Sequence, residues 1–212
     1  MGTFNPYNVI TENATGEYEE KKSKFIAYVA PVSTEEEALN FIASIKKKHY
    51  DARHNCSAFI IGDDKSLIRS SDDGEPSGTA GKPMLEVLNG ANLTNVVAVV
   101  TRYFGGVLLG TGGLVRAYTE AIKDALSNAT FASITYCLDI MVKVSYTDVN
   151  SMQYYLSNNE IMLIDTIYAE DVIFEIRVDA LLEEKVHKDI SELTKGRAQI
   201  ETTDKGFKLN TH

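Results

Sequence analysis

Lys82, Arg102 and Arg116 are the side chains whose surroundings most invite chemistry, because each stands beside a glycine-rich stretch in a place that suits a bound anion. Residues 71–83, SDDGEPSGTAGKP, hold too much Gly, Pro, Ser and Asp for helix or strand. Residues 104–113, FGGVLLGTGG, separate an apolar run from a helical pattern. Each stretch leads into a predicted helix. Pro83 suits the opening position of the first, and Leu114, Tyr118, Ala121, Ile122 and Ala125 recur at helical spacing in the second. A helix start carries unpaired N–H groups and the positive end of the dipole, so a cation there is disfavoured by about 0.3–1 kcal/mol. Lys82 and Arg116 nevertheless fall at or just inside the two starts, and no acidic residue occurs between residues 87 and 119. A held anion reconciles these facts, with glycine N–H groups close in and the cations completing the cage. The candidate anion- or RNA-binding set is Lys82, Arg102, Gly105, Gly106, Gly110, Gly112, Gly113 and Arg116, with Arg69, Ser77, Thr79 and His54 around it. In the purely structural alternative the glycines only turn the chain, and Arg116 pairs with Glu120 one helical turn on.

Other chemistries find less support. A Walker A loop needs glycine five positions before its Gly-Lys pair and Ser or Thr after it, where this chain has Pro76 and Pro83. A dinucleotide fingerprint fails because Val115 stands where the third glycine belongs. His54 with Asp72, Asp73 and Glu75 suggests a metal site only loosely, since neither HxH nor HExxH spacing is present. Cys56 and Cys137 are far apart and form no CxxC, which leaves them as buried apolar residues. No nucleophile and base stand in a triad pattern. No catalytic residue, metal or cofactor is therefore assigned.

Charge and hydropathy narrow the class further. The chain has 212 residues and a formal net charge of −9, which argues against a protein that coats nucleic acid indiscriminately. The charge is uneven: 13 Lys and Arg stand against 16 Asp and Glu up to Ser133, and 8 against 14 from Ile134 onward. Any polyanion contact thus belongs to the first part. No run approaches the roughly 18 apolar residues of a membrane span, and residues 1–20 lack the succession of a signal peptide. The expectation is a soluble cytoplasmic protein that does not enter membranes.

The elements that would position these residues can be read in order. Residues 25–30 form a predicted strand reached through an extended or hairpin arm. A helix follows, with Thr34 and Glu37 at capping-box spacing and Ala38, Phe41, Ile42 and Ile45 as its inward stripe. Residues 56–61 suit a buried strand, and residues 96–100 a central one that delivers Arg102 and the second glycine stretch at its end. From Tyr136 the pattern is β-α-β-β-α-β, the ferredoxin-like arrangement. The predicted organisation is an α+β chain of two domains, residues 1–134 and 135–212.

The runs SDDGEPSGTAGKP and NVVAVVTRYFGGVLLGTGGLVRAY closely resemble the signature of the IMPACT/YigZ family, and DARHNCSAFI resembles the strand motif that precedes it. The resemblance implies a first domain similar to the second domain of a small-subunit ribosomal protein, a left-handed βαβ fold. It implies a second domain similar to a C-terminal domain of elongation factor G. Eukaryotic relatives regulate translation initiation by competing for an activator of a stress kinase. By resemblance, then, the chain is expected to be a non-catalytic regulator of translation in the stress response, binding ribosome, RNA or a translation-related protein. The ribosomal-type fold also houses small-molecule kinases whose phosphate-gripping loop GGVLLGTGG loosely resembles. A phosphotransferase, with Asp72 or Asp73 as its base, is therefore the alternative.

Overall fold

A computed structural model of the chain describes residues 6–159 and 161–210. The ends of the two expected domains, residues 1–5 and 211–212, lie outside the described residues. Two compact units emerge, Tyr7–Ser133 and a second that begins at Ile134.

In the first unit a short strand β1 (Tyr7–Ile10) precedes the hairpin of β2 (Ala14–Glu20) and β3 (Ser23–Pro31). Lys21 and Lys22 form the hairpin's turn, both at positive φ. Helix α1 (Glu35–Lys48) opens as its capping box requires: the Glu37 N–H donates to Thr34 Oγ1 at 3.2 Å, and the Glu37 carboxylate accepts the Ser33 N–H at 2.6 Å. Then come β4 (His54–Ile61), β5 (Leu67–Ser71), α2 (Gly81–Gly90), β6 (Val96–Tyr103) and α3 (Gly110–Ser127). The sheet runs β2-β3-β6-β4-β5 with antiparallel neighbours throughout, so β6 is central. Since β3 and β4 both oppose β6, they are parallel to each other, joined through α1 as a βαβ unit.

Side-chain alternation decides what each face does. Phe25, Ala27 and Val29 on β3, Cys56, Ala58 and Ile60 on β4, and Val96, Ala98 and Val100 on β6 pack with Met84 and Leu88 of α2 and Leu114, Tyr118 and Ile122 of α3. The other face, with Ala30, Phe59, Ile61 and Val97, meets Ala38, Phe41 and Ile42 of α1. Burying each such large aliphatic side chain contributes about 1.5–3 kcal/mol, so the three helices are fixed to the sheet mainly by this core.

Two boundaries differ from the expected ones with consequences for function. Helix α3 begins at Gly110, four residues before Leu114, and α2 begins at Gly81, so Pro83 is its third residue. Strand β5 had no counterpart in the sequence reading. It is an edge strand, LIRSS, exposed along most of its length, and so shows no alternation to read.

The second unit takes most of β7 (Phe131–Val144), then α4 (Val149–Asn158), β8 (Met162–Tyr168), β9 (Val172–Asp179), α5 (Glu183–Leu193) and β10 (Gln199–Asn210). The strands of this unit run β10-β7-β9-β8, the ferredoxin-like order. Val172, Phe174, Ile176 and Val178 face Met152, Leu156, Val186 and Ile190 in its core.

Candidate functional site

The two glycine-rich stretches have opposite fates. In the first, the Asp72 carboxylate turns back onto the start of α2: Oδ2 accepts the Gly78 N–H at 2.8 Å, and Oδ1 accepts those of Ala80 at 3.0 Å and Gly81 at 2.8 Å. Burial alone would raise this carboxyl's pKa, but the three backbone donors outweigh it and hold the group below the usual carboxylate range. An anion does sit at this helix start, and it is the chain's own. Neighbouring Asp73 is engaged as well, accepting from Lys46 Nζ at 2.6 Å and the Asn55 N–H at 2.7 Å.

The second stretch is open. Helix α3 has no side-chain cap, Leu109 standing at its N-cap, and no acidic residue in its first turn. The N–H groups of a first turn have no acceptor within their own helix. Gly110 and Thr111 of that turn line a cleft of about 860 Å³ whose walls come from β4, the loop after Asp73, the end of β6, and the loop into α3. Arg53, His54, Tyr103, Phe104, Leu108 and Thr111 are among the residues that line it. Arg53 is exposed and forms no ion pair among the described residues. Phe104 is 54% exposed and Leu108 is 82% exposed. The loop is held close to the hairpin turn because Gly105 lacks a side chain: a Cβ there would lie 2.1 Å from the backbone carbon of Lys22.

Beneath the cleft lies a buried polar network. The Arg102 side chain, 7% exposed, donates through Nη1 to Glu75 Oε1 at 2.7 Å, and its Nε has no hydrogen-bond partner among the described residues. Glu75 Oε1 also accepts from the Tyr118 hydroxyl at 2.9 Å, which in turn accepts from Cys56 Sγ at 3.2 Å. Burial dominates the upward shift of both groups, pushing the Cys56 thiol up to about 12 and the Tyr118 phenol higher still. Cys56 is therefore a protonated core thiol and a poor nucleophile. At the cleft's edge, Tyr103 donates its proton to Asp51 Oδ1 at 2.9 Å, so its oxygen accepts from His49 Nδ1 at 2.9 Å. That leaves His49 Nε2 to accept from Tyr28 at 2.7 Å, which defines the neutral Nδ1–H tautomer.

This arrangement can be set beside known proteins. Residues 21–126 match the model of the Impact N-terminal domain, and residues 142–197 match a domain of unknown function, DUF1949. The chain is 40% identical over 196 residues to the IMPACT family member YvyE of Bacillus subtilis, covering 92% of this chain and 90% of that one. The chain belongs to the IMPACT family. The IMPACT family member YigZ of Escherichia coli is 36% identical over 182 residues, covering 85% of this chain and 89% of its own. A solved structure titled as that of a hypothetical protein superposes with a TM-score of 0.59 at 33% identity, covering 94% of this chain and 98% of that one.

Within this IMPACT-family chain the residues picked out by sequence do not form one cage. Arg102, His54 and Gly110 share the cleft wall. Arg102 is already neutralised by Glu75, and His54 Nδ1 donates to the Asp73 carbonyl at 3.0 Å. Arg116 is the seventh residue of α3 rather than a helix-start residue, exposed on the second turn. Its supposed partner Glu120 pairs instead with Lys123 at 2.9 Å. Lys82 is exposed at the second position of α2, but that start is filled by Asp72. Arg69 is misassigned: its register with Phe59 places it on the α1 face, where it pairs with Glu35 at 2.9 Å. Thr79 is buried and donates to the Pro76 carbonyl at 2.6 Å, while Ser77 is exposed. Gly105 spends its N–H on Ser23 Oγ at 3.1 Å, Gly106 turns the chain at φ 87°, and Gly112 and Gly113 belong to the first turns of α3. Sequence reasoning missed Asp72 as a cap, Glu75 as the partner of Arg102, and Arg53 and Phe104 as cleft residues.

Proposed function

We propose that this IMPACT-family chain is a non-catalytic cytoplasmic regulator of translation that binds RNA of the ribosome through the glycine-rich face of its first unit. The observation that carries the reading is the uncapped start of α3 beside an open cleft, with the exposed cations Lys21, Lys22, Arg53 and Arg116 on the same unit and no acid in the helix's first turn. Family membership supports it, since the resemblance implies translation regulators among eukaryotic relatives. The mouse relative named Protein IMPACT matches 96 residues at 38% identity, 43% of this chain. The more acidic half from Ile134 onward repels polyanions and leaves that contact to the first unit. A phosphotransferase would need a carboxylate free to take a proton, whereas Asp72 and Asp73 are both held by donors from the chain itself.

The test is sedimentation of the protein with purified ribosomes across a salt series, with and without ribonuclease. Pelleting that weakens as salt rises is expected. Protein that stays at the top of the gradient at low salt, in all growth phases sampled, would refute the reading. Pelleting that survives ribonuclease would point to a protein partner instead.

A further inference from the structure

We infer that the cleft takes one nucleotide unit splayed out of single-stranded RNA, its phosphate at the start of α3 and its base against Phe104. This rests on the RNA-binding reading above and gives it a ligand geometry. The cleft, at about 860 Å³, has the size of a small-molecule site.

Three features point to that ligand. Gly110 and Thr111 at the start of α3 line the cleft, that start has neither a capping side chain nor an acid, and the neighbouring Arg53 has no ionic partner among the described residues. Together they suit one phosphate. Arg102 lines the cleft wall while more than nine-tenths buried, and its Nε, itself shut off from solvent, has no hydrogen-bond partner among the described residues. Phe104 supplies a half-exposed aromatic face whose ring lies 5.6 Å from the Arg102 guanidinium, so the ring is held in place while one side stays wet. Flat apolar faces of this kind hold bases by stacking.

The cleft's charge selects the form of the ligand. Arg53 and Arg102 are matched there by Asp51 and Glu75, so the formal net charge of these groups is zero. A di- or triphosphate would bring several negative charges with nothing to offset them, whereas a single phosphodiester brings one. Flanking phosphates of a strand have Lys21 and Lys22 within reach, because the hairpin turn packs against Gly105, next to Phe104. A duplex cannot offer the base face that Phe104 requires without unstacking.

The experiment measures fluorescence anisotropy of the full chain with a short labelled single-stranded RNA, the same sequence as a blunt duplex, and AMP and UMP as competitors. Wild type should bind the single strand more tightly than the duplex, with the mononucleotides competing only weakly. Phe104→Ala should weaken single-strand binding about tenfold, the worth of one stacked base. Arg53→Ala should lower the salt slope by about one. Thermal melts of both variants should match wild type, since Phe104 is 54% exposed and Arg53 is exposed. Unchanged affinity in both variants, or equal binding of strand and duplex, would overturn the inference. A mononucleotide bound as tightly as the strand would overturn the RNA assignment. If ribosomes still pellet the protein while Phe104→Ala binds the strand like wild type, only this inference fails. If wild type neither pellets nor binds the strand, the reading beneath it fails too.

Discussion

Replacing Asp72 by Ala removes one carboxylate and leaves three backbone donors at the head of α2, two of them on the buried residues Ala80 and Gly81. An ordinary N-cap truncation costs about 1 kcal/mol and at most about 2. Here the oxygens are charged, and each buried donor stripped of its partner costs about 1–3 kcal/mol, part of which water recovers at the exposed Gly78 end. The sum is about 3 kcal/mol, or roughly 10 °C in Tm for a unit of this size, read by calorimetry or circular dichroism. Asp72→Asn keeps one accepting oxygen and should lose about 1 kcal/mol. The vacated cradle should also accept a small carboxylate, so formate ought to raise the Tm of Asp72→Ala more than that of wild type. The acid limb gives an independent sign. Because the folded carboxyl lies below its ordinary value, the unfolded chain binds more protons near pH 4, and the group's stabilisation is present above that pH and lost as pH falls through the folded value. Asp72→Asn should therefore flatten stability against pH in that range. A Tm shift under about 2 °C for Asp72→Ala, with no formate rescue, would mean that the carboxylate does not hold this loop and that the start of α2 is open to a ligand after all.

Glu75→Ala should destabilise the first unit by about 3–5 kcal/mol, because it strands the Arg102 guanidinium in the core, and the double variant Glu75→Leu with Arg102→Met should recover much of the loss in denaturant titrations. Arg116→Ala should change stability by less than about 0.5 kcal/mol, since the exposed side chain pairs with no carboxylate among the described residues; a larger loss on melting would show a contact not seen here. His49 is depressed, first by burial and then by Lys48, against an opposing pull from Asp51. Its contribution is fully present above pH 6.5 and falls as pH drops below that towards the folded value, so His49→Gln should flatten Tm against pH below 6.5. Cys56, with its thiol pushed up to about 12, should resist iodoacetamide at pH 8 until the chain is unfolded, as mass spectrometry would record.

What could be read from sequence was whatever rested on local periodicity. The stripe of α1 and its capping box, the alternation of β9, and the apolar run of β6 all depend on residues within one element. Features that depend on tertiary placement were hidden. Asp72 caps a helix that starts nine residues later, outside the one-to-three-residue spacing by which caps are recognised. Glu75 and Arg102 meet across 27 residues. Arg69 was misjudged because β5 carries no alternation, and the parity of that strand alone sends its side chain to the α1 face. The lack of acids in residues 87–119 agrees with the acid-free first turn of α3 and never bore on α2, whose start is met by an aspartate upstream in its own loop.

Glycine content therefore cannot by itself distinguish a ligand site from a closed turn. Both stretches are glycine-rich and both deliver a helix start, yet one is saturated by its own aspartate and the other has no capping side chain among the described residues. The saturated loop still shapes the open one. Glu75 extends from it to grip Arg102 at the end of β6 and Tyr118 on α3, so the two ends of the open loop are tied to a wall that Asp72 keeps rigid. On this view the first glycine stretch is a scaffold for the second. Loosening it with Asp72→Ala should weaken the proposed RNA binding indirectly, with formate restoring stability and affinity together. Affinity that stayed constant while stability fell would separate the two loops.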